Sequence, residues 1–208
     1  YSIAKANMLI KGGDAENMKH GNTLSDDKFS GYKFDYIISN PPFGIEWKNE
    51  KAAVEAESKK GDMGRFGAGL PAIGDIQQLF VLNGVAKLKD TGRMAIIQNG
   101  SPLFKGDAGS GESNIRGYLI ENDWLEAIIQ IPNDMFYNTG IATYIWVVSK
   151  DKAVERTGIM YYYDIGTIID FAFSTNAVKA AASLTAISAS IFLLRVIPAF
   201  LRPYINCE

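Results

Sequence analysis

Short apolar runs alternate with amphipathic stretches from Lys33 to about Ser149. Phe34-Asp-Tyr-Ile-Ile-Ser39 reads as a strand, and Asn40-Pro41-Pro42 stops it, because consecutive prolines cannot donate to a sheet ladder. Met94–Gln98, Leu125–Ile131 and Ala142–Val148 have the same strand character, the last rich in β-branched and aromatic residues. Helical patterns separate them. Asp75 predicts an N-cap for a helix carrying Ile76, Leu79, Phe80, Val85 and Leu88, with Lys87 and Lys89 in its last turn and Gly92 as its stop. Ile115, Tyr118 and Leu119 mark one face of a shorter helix. Near-continuous apolar strands alternating with helices predict an α/β fold on a largely parallel sheet covered on both faces. Ligands of such sheets bind beyond the carboxyl ends of the strands, which directs attention to the residues after Ser39 and after Gln98.

Three stretches depart from this alternation. Tyr1 to Ile10 reads as the middle of a helix, with Ile3, Asn7 and Ile10 on one face and no capping residue ahead of them. Residues 45–74 are charged and then glycine-rich, a length of loop that is either functional or disordered. From Asp164 the composition changes, and residues 177–201 are dominated by Ala, Ser, Ile, Leu and Phe. Lys179 and Arg195 bracket fifteen uncharged residues there, short of the ~20 that span a bilayer, so no membrane association is expected. The chain therefore divides into residues 1–163 and a divergent, helical or non-native tail over 164–208.

Composition narrows the chemistry. The 208 residues carry 21 Lys and Arg against 23 Asp and Glu, a net charge of −2, which excludes a polycationic tail protein. At 47% hydrophobic and 12% aromatic the chain is too apolar for intrinsic disorder. One cysteine (Cys207) excludes a disulfide framework and fits a reducing, cytoplasmic compartment. With one histidine (His20) besides, no tetrahedral zinc site of the usual ligands is expected, and no metal. A Ser-His-Asp or Cys-His mechanism would have to rest on His20 alone, which reads more simply as a surface residue.

Asn40-Pro41-Pro42-Phe43, at a strand end, is the most specific signal in the chain. Two prolines remove two backbone donors and leave carbonyl oxygens as acceptors with no competing N–H. Asn40 adds an amide, and Phe43 a flat apolar face. Together they suit a planar group bearing an exocyclic amine, whose hydrogens go to the Asn40 amide oxygen and the Pro41 carbonyl while its ring stacks on Phe43. Accepting those hydrogens draws the amine lone pair out of conjugation, making the nitrogen nucleophilic without a strong base. The matching electrophile is an activated methyl group, as on the sulfonium of S-adenosyl-L-methionine, and positioning supplies much of the rate. The residues leave open which amine is methylated: adenine in DNA, guanine in ribosomal RNA, or a protein glutamine.

Other motifs weigh less. Gly106 to Ser113 has the spacing of a phosphate-binding loop but places Glu112 where the lysine belongs, so it is expected to be a flexible loop facing DNA or a partner. Lys48, Lys51, Lys59, Lys60 and Arg65, with Trp47, either hold phosphates and fill the gap left by a flipped base, or form a solvated charged loop with the interleaved glutamates. Tyr161 to Tyr163 reads as strand packing.

The chain resembles the modification (M) subunit of type I restriction–modification systems, an S-adenosylmethionine-dependent DNA adenine methyltransferase. The resemblance is carried by Ser2–Ile10, Gly21–Leu24, Phe34–Gly44, Arg65-Phe66, Gln78–Phe80, Gly92–Ala95, Ser101–Phe104, Gly106–Arg116, Leu125–Ile129, Phe136–Ile141 and Thr143–Trp146. It implies a Rossmann-like methyltransferase fold in which Asn40, Pro41, Pro42 and Phe43 hold a flipped-out adenine. It also implies that Asn22 and Leu24 lie near the cofactor's adenine. Its implied partners are DNA, a specificity (S) subunit and a restriction (R) subunit. The family's glycine-rich cofactor loop and first strands would lie upstream of Tyr1, so the chain is expected to be a fragment that is inactive on its own and binds the cofactor weakly.

Overall fold

The computed structural model describes residues 1–136 and 140–165. Its strands are β1 (Phe34–Ser39), β2 (Leu88–Asn99), β3 (Leu125–Ile131), β4 (Thr143–Ser149) and β5 (Tyr161–Asp164), forming one sheet in the order β1-β2-β4-β3-β5. The helices are α1 (Ser2–Ile10), α2 (Lys51–Ser58), α3 (Gln77–Lys87), α4 (Ser101–Phe104) and α5 (Gly111–Glu121). The α/β class holds, and β1 and β3 occupy the residues their apolar runs predict.

The sheet is mixed where a largely parallel one was expected. β1 runs parallel to β2 and β3 to β5, but β4 lies antiparallel to both β2 and β3. The reason lies in a connection. Only residues 132–142 join β3 to β4, too few for the crossover of a dozen or more residues that a parallel neighbour needs. The chain must double back.

Two further boundaries moved. α3 begins at Gln77, and Asp75 serves it from two residues upstream, its Oδ1 accepting the Gln77 N–H at 3.2 Å and the Gln77 side-chain amide at 2.9 Å. The helix gives way directly to β2 at Leu88, whose buried side chain sits beside Phe34 of β1, so Gly92 lies inside a strand instead of ending a helix. α5 starts at Gly111, with the Ser110 hydroxyl accepting the Ser113 N–H.

Among the described residues the two larger hydrophobic cores lie on one face of the sheet and off it, and Ala127, Ile129 and Val147 form a third, smaller cluster. In the first, Val81 and Val85 of α3 and Leu119 of α5 pack on Met94, Ile96 and Trp146 of the sheet. The second lies off the sheet, where Trp47, Val54 and Phe66 from residues 45–74 meet Leu24, Leu79 and Ile115. The long charged loop is therefore neither disordered nor unstructured, since it folds around an interior of its own. β3 tolerates Glu126, 2% exposed, because Arg156 pairs with it. Tyr161 and Tyr163 stack at 6.0 Å on edge strand β5, and Tyr162 donates to Gln130 at 2.6 Å, the packing role read from the sequence. α1 is helical as predicted, with Ile3 and Ile10 exposed.

Among the described residues no helix is long and apolar enough to cross a membrane. The apolar tail from residue 166, Cys207 included, lies outside the described residues.

Candidate active site

Ser39 pairs with Ile96 at the end of β1, and β2 runs on to Asn99 beside it, so the chain leaves the sheet at the carboxyl end of two parallel strands. The tetrapeptide stands there. Asn40 is exposed, Pro41 buried, Pro42 exposed and Phe43 half-buried. The Asn40 amide has no hydrogen-bond partner among the described residues, and the two proline carbonyls take no backbone donor. Gly44 follows at φ +63, the left-handed region that an L side chain enters only under strain. Its conformation turns the chain back at once after Phe43.

The return path is pinned. The Ile45 carbonyl accepts the Ile76 N–H at 3.2 Å, and the Trp47 N–H goes to the Ile73 carbonyl at 3.1 Å. Trp47 is 2% exposed and its indole N–H donates to Ala72. It therefore cannot fill a gap in a base stack, which corrects one of the two roles open to it from sequence. Arg65 is committed as well. Its guanidinium donates to the Thr23 carbonyl at 2.8 Å, the Leu24 carbonyl at 2.9 Å and Asn83 Oδ1 at 2.9 Å, and lies 3.6 Å from Glu57. Lys60 pairs with Glu57 at 2.6 Å, while Lys48, Lys51 and Lys59 remain exposed. The basic run is thus divided between structural clamps and a charged surface.

Asn22 and Leu24 occupy a turn that Asn22 builds itself. Its Oδ1 accepts the Leu24 and Ser25 N–H groups at 3.0 and 3.3 Å, and its Nδ2 donates to Glu50 at 2.9 Å. Leu24 is 2% exposed in the second core. Neither side chain lines the neighbouring groove of about 670 Å³ along β1, whereas Gly21, Thr23, Phe29, Ile38 and Ser39 do. That groove ends one residue short of Asn40. Arg65, whose contacts hold the Thr23–Leu24 backbone in place, carried no sequence signal for this task beyond its charge.

The Gly106–Ser113 loop departs from expectation. Glu112 is 9% exposed and its Oε1 accepts the Ala72 N–H at 2.8 Å. Burial acts to raise its carboxyl, but the N–H groups of Ala72 and of Glu112 itself and the Ser110 hydroxyl outweigh it and hold the group below the usual carboxylate range. A Cβ on Gly111 would lie 1.7 Å from the Leu70 carbonyl oxygen, so the Gly111–Glu112 end of this loop is docked on residues 70–72, while Asp107, Ala108 and Gly109 stay exposed. His20 is exposed, and among the described residues no group of three or more His, Cys, Asp or Glu could hold a metal ion.

Comparison with known proteins places these features in context. The model of the family described as N-6 DNA Methylase matches residues 1–181. The MjaIX type I restriction enzyme methylase subunit of Methanocaldococcus jannaschii is 27% identical over 153 residues, 73% of this chain and 26% of that protein. The HindI methylase subunit of Haemophilus influenzae is 28% identical over 167 residues, 79% of this chain and 35% of that protein. The type I restriction–modification methyltransferase subunit of Streptococcus thermophilus superposes with a TM-score of 0.64 at 28% identity, covering 77% of this chain and 33% of its own. The chain thus spans about a quarter to a third of the length of these relatives.

Proposed function

Because this chain belongs to the N-6 DNA methylase family, we propose that it forms catalytic-domain structure of a type I restriction–modification methyltransferase subunit, methylating N6 of an adenine turned out of the duplex. The observation that carries this reading is the Asn40 amide, without a partner among the described residues, beside two proline carbonyls that no described backbone N–H reaches, at the carboxyl end of β1. In the proposal the adenine amine donates one hydrogen to Asn40 Oδ1 and the other to the Pro41 carbonyl, and the ring lies on Phe43. Both acceptors sit on a segment fixed before substrate arrives, so positioning and a lone pair localised on N6 would drive attack on the sulfonium methyl without a strong base. As the N–C bond forms the C–S bond breaks, and the surplus N6 proton leaves to solvent.

S-adenosyl-L-methionine, when bound, supplies an electrophilic methyl group. The groove beside β1 has the volume of small-molecule sites, which run from about 300 to 1,000 Å³. Gly21, Thr23 and Ser39 would line the cofactor's place, while Asn22 and Leu24, whose side chains and carbonyls are already engaged, would act by shaping the turn that presents Gly21 and Thr23. DNA, a specificity subunit and a restriction subunit, met in the cytoplasm, are the proposed partners.

The test is methyl transfer by the complete protein with its partner subunits, offered DNA, RNA and protein acceptors. Incorporation into DNA adenine, abolished by Asn40→Ala, is the expected result. Incorporation into RNA or protein but not DNA overturns the reading.

A further inference from the structure

A second cleft lies at the opposite end of the sheet. It encloses about 430 Å³ between Tyr32 and Lys33 ahead of β1, Lys60 and Asp62 after α2, Tyr118 of α5 and Lys150 after β4. The six residues of β1, at ~3.3 Å each, put it roughly 20 Å from Asn40.

Its charge is unbalanced. Lys33, Lys60, Arg65, Lys87 and Lys150 line it, against only Glu57 and Asp62. Glu57 engages Lys60 and Arg65, and Lys87 pairs at 2.6 Å with Asp27. Lys33 and Lys150 have no carboxylate partner among the described residues. Lys33 donates to the Ala86 carbonyl. Lys150 reaches the Leu88 carbonyl at 3.5 Å, with its Nζ 4.9 Å from the centre of the Trp124 ring. Neutral acceptors and a ring face orient an ammonium without cancelling its charge. Burial, joined by the Lys33 charge, lowers the proton affinity of Lys150, and Asp90 only partly offsets them. Two ammonium groups thus face one cleft, unneutralised.

The geometry points to a binding site in this cleft for a phosphate-bearing anion held between Lys33 and Lys150. A lysine ammonium is a compact point charge that suits phosphate, and two of them match an anion carrying more than one negative charge. Tyr32 and Tyr118 wall the space on either side, and Ser30 adds a hydroxyl. Asp62 is the one carboxylate of the lining without a cation partner among the described residues; burial, with the nearby Asp62 charge, raises the Tyr118 phenol, so Asp62 limits how far the anion extends toward α5. A free nucleotide phosphate and a backbone phosphate of nucleic acid share this chemistry. The site is independent of the methyl-transfer reading, since neither lysine is near the tetrapeptide.

The experiment is calorimetric titration of the chain with sodium pyrophosphate at constant ionic strength, repeated for Lys33→Met and Lys150→Met. Saturable 1:1 binding, weakened at least tenfold in each variant, is expected. Lys33 is exposed, so its variant keeps the test valid should Lys150→Met unfold. Displacement of bound pyrophosphate by a short DNA duplex identifies the backbone as the source. Displacement by adenosine diphosphate alone identifies a free nucleotide. Absence of saturable binding, or binding unchanged in Lys33→Met, overturns the proposal.

Discussion

Lys87 Nζ lies 2.6 Å from Asp27 Oδ2, tying the segment ahead of β1 to the last turn of α3 with both side chains largely shielded from solvent. Burial acts to raise the Asp27 carboxyl. The Lys87 hydrogen bond, the Phe29 N–H and the charges of Lys87 and Arg65 outweigh it and hold the group below its ordinary value. A carboxyl depressed in the folded state contributes stability that is complete above the unfolded pKa of about 4 and fades as pH falls through the lower folded value. Asp27→Asn is therefore expected to flatten the acid limb of the stability curve below about pH 4. Urea midpoints measured from pH 2 to 7 for both proteins check it, and parallel curves would refute it.

Trp47→Ala removes a buried indole and one of the two donors to the Ala72 carbonyl, the Asp75 N–H remaining. The expected loss is about 3–5 kcal/mol, read by denaturant unfolding. A surface tryptophan kept for DNA contact would leave stability within about 0.5 kcal/mol of the parent.

Gly111→Ala sets a methyl against the Leu70 carbonyl oxygen at a contact no backbone tolerates. Parting α5 from residues 70–72 is expected to cost about 1–3 kcal/mol and to lower the thermal midpoint. An unchanged midpoint would mean that the two segments are not docked.

Asn40→Ala has the opposite profile. The side chain is exposed and holds no partner among the described residues, so stability should move by less than about 0.5 kcal/mol while methyl transfer by the complete protein disappears. Thermal melts run beside the transfer assay separate this from a folding defect.

Much of the architecture was written in local pattern. The extents of β1 and β3 follow from their apolar runs, and the stop after Ser39 from its prolines. What failed was whatever depended on distant partners. The direction of β4 is a property of its neighbours, although the short β3–β4 connection contained the clue. Gly92 resembles a helix stop until Leu88 is seen beside Phe34. Trp47, Arg65 and Glu112 look like surface chemistry in a polar stretch, and each is turned inward by a carbonyl or N–H from another segment. The tetrapeptide's place at a strand end was legible because Ser39 to Phe43 are adjacent in sequence. The role of Arg65 was not, because its acceptors Thr23 and Leu24 lie some forty positions away.

Between Ser39 in the sheet and Trp47 in the second core only seven residues intervene, and the tetrapeptide lies among them. A bridge so brief, moored at both abutments, has little slack. The entropy lost in ordering it falls on folding rather than on the encounter with a substrate. Loosening either mooring should therefore weaken the proposed capture of a base even where every atom of the bridge is left untouched.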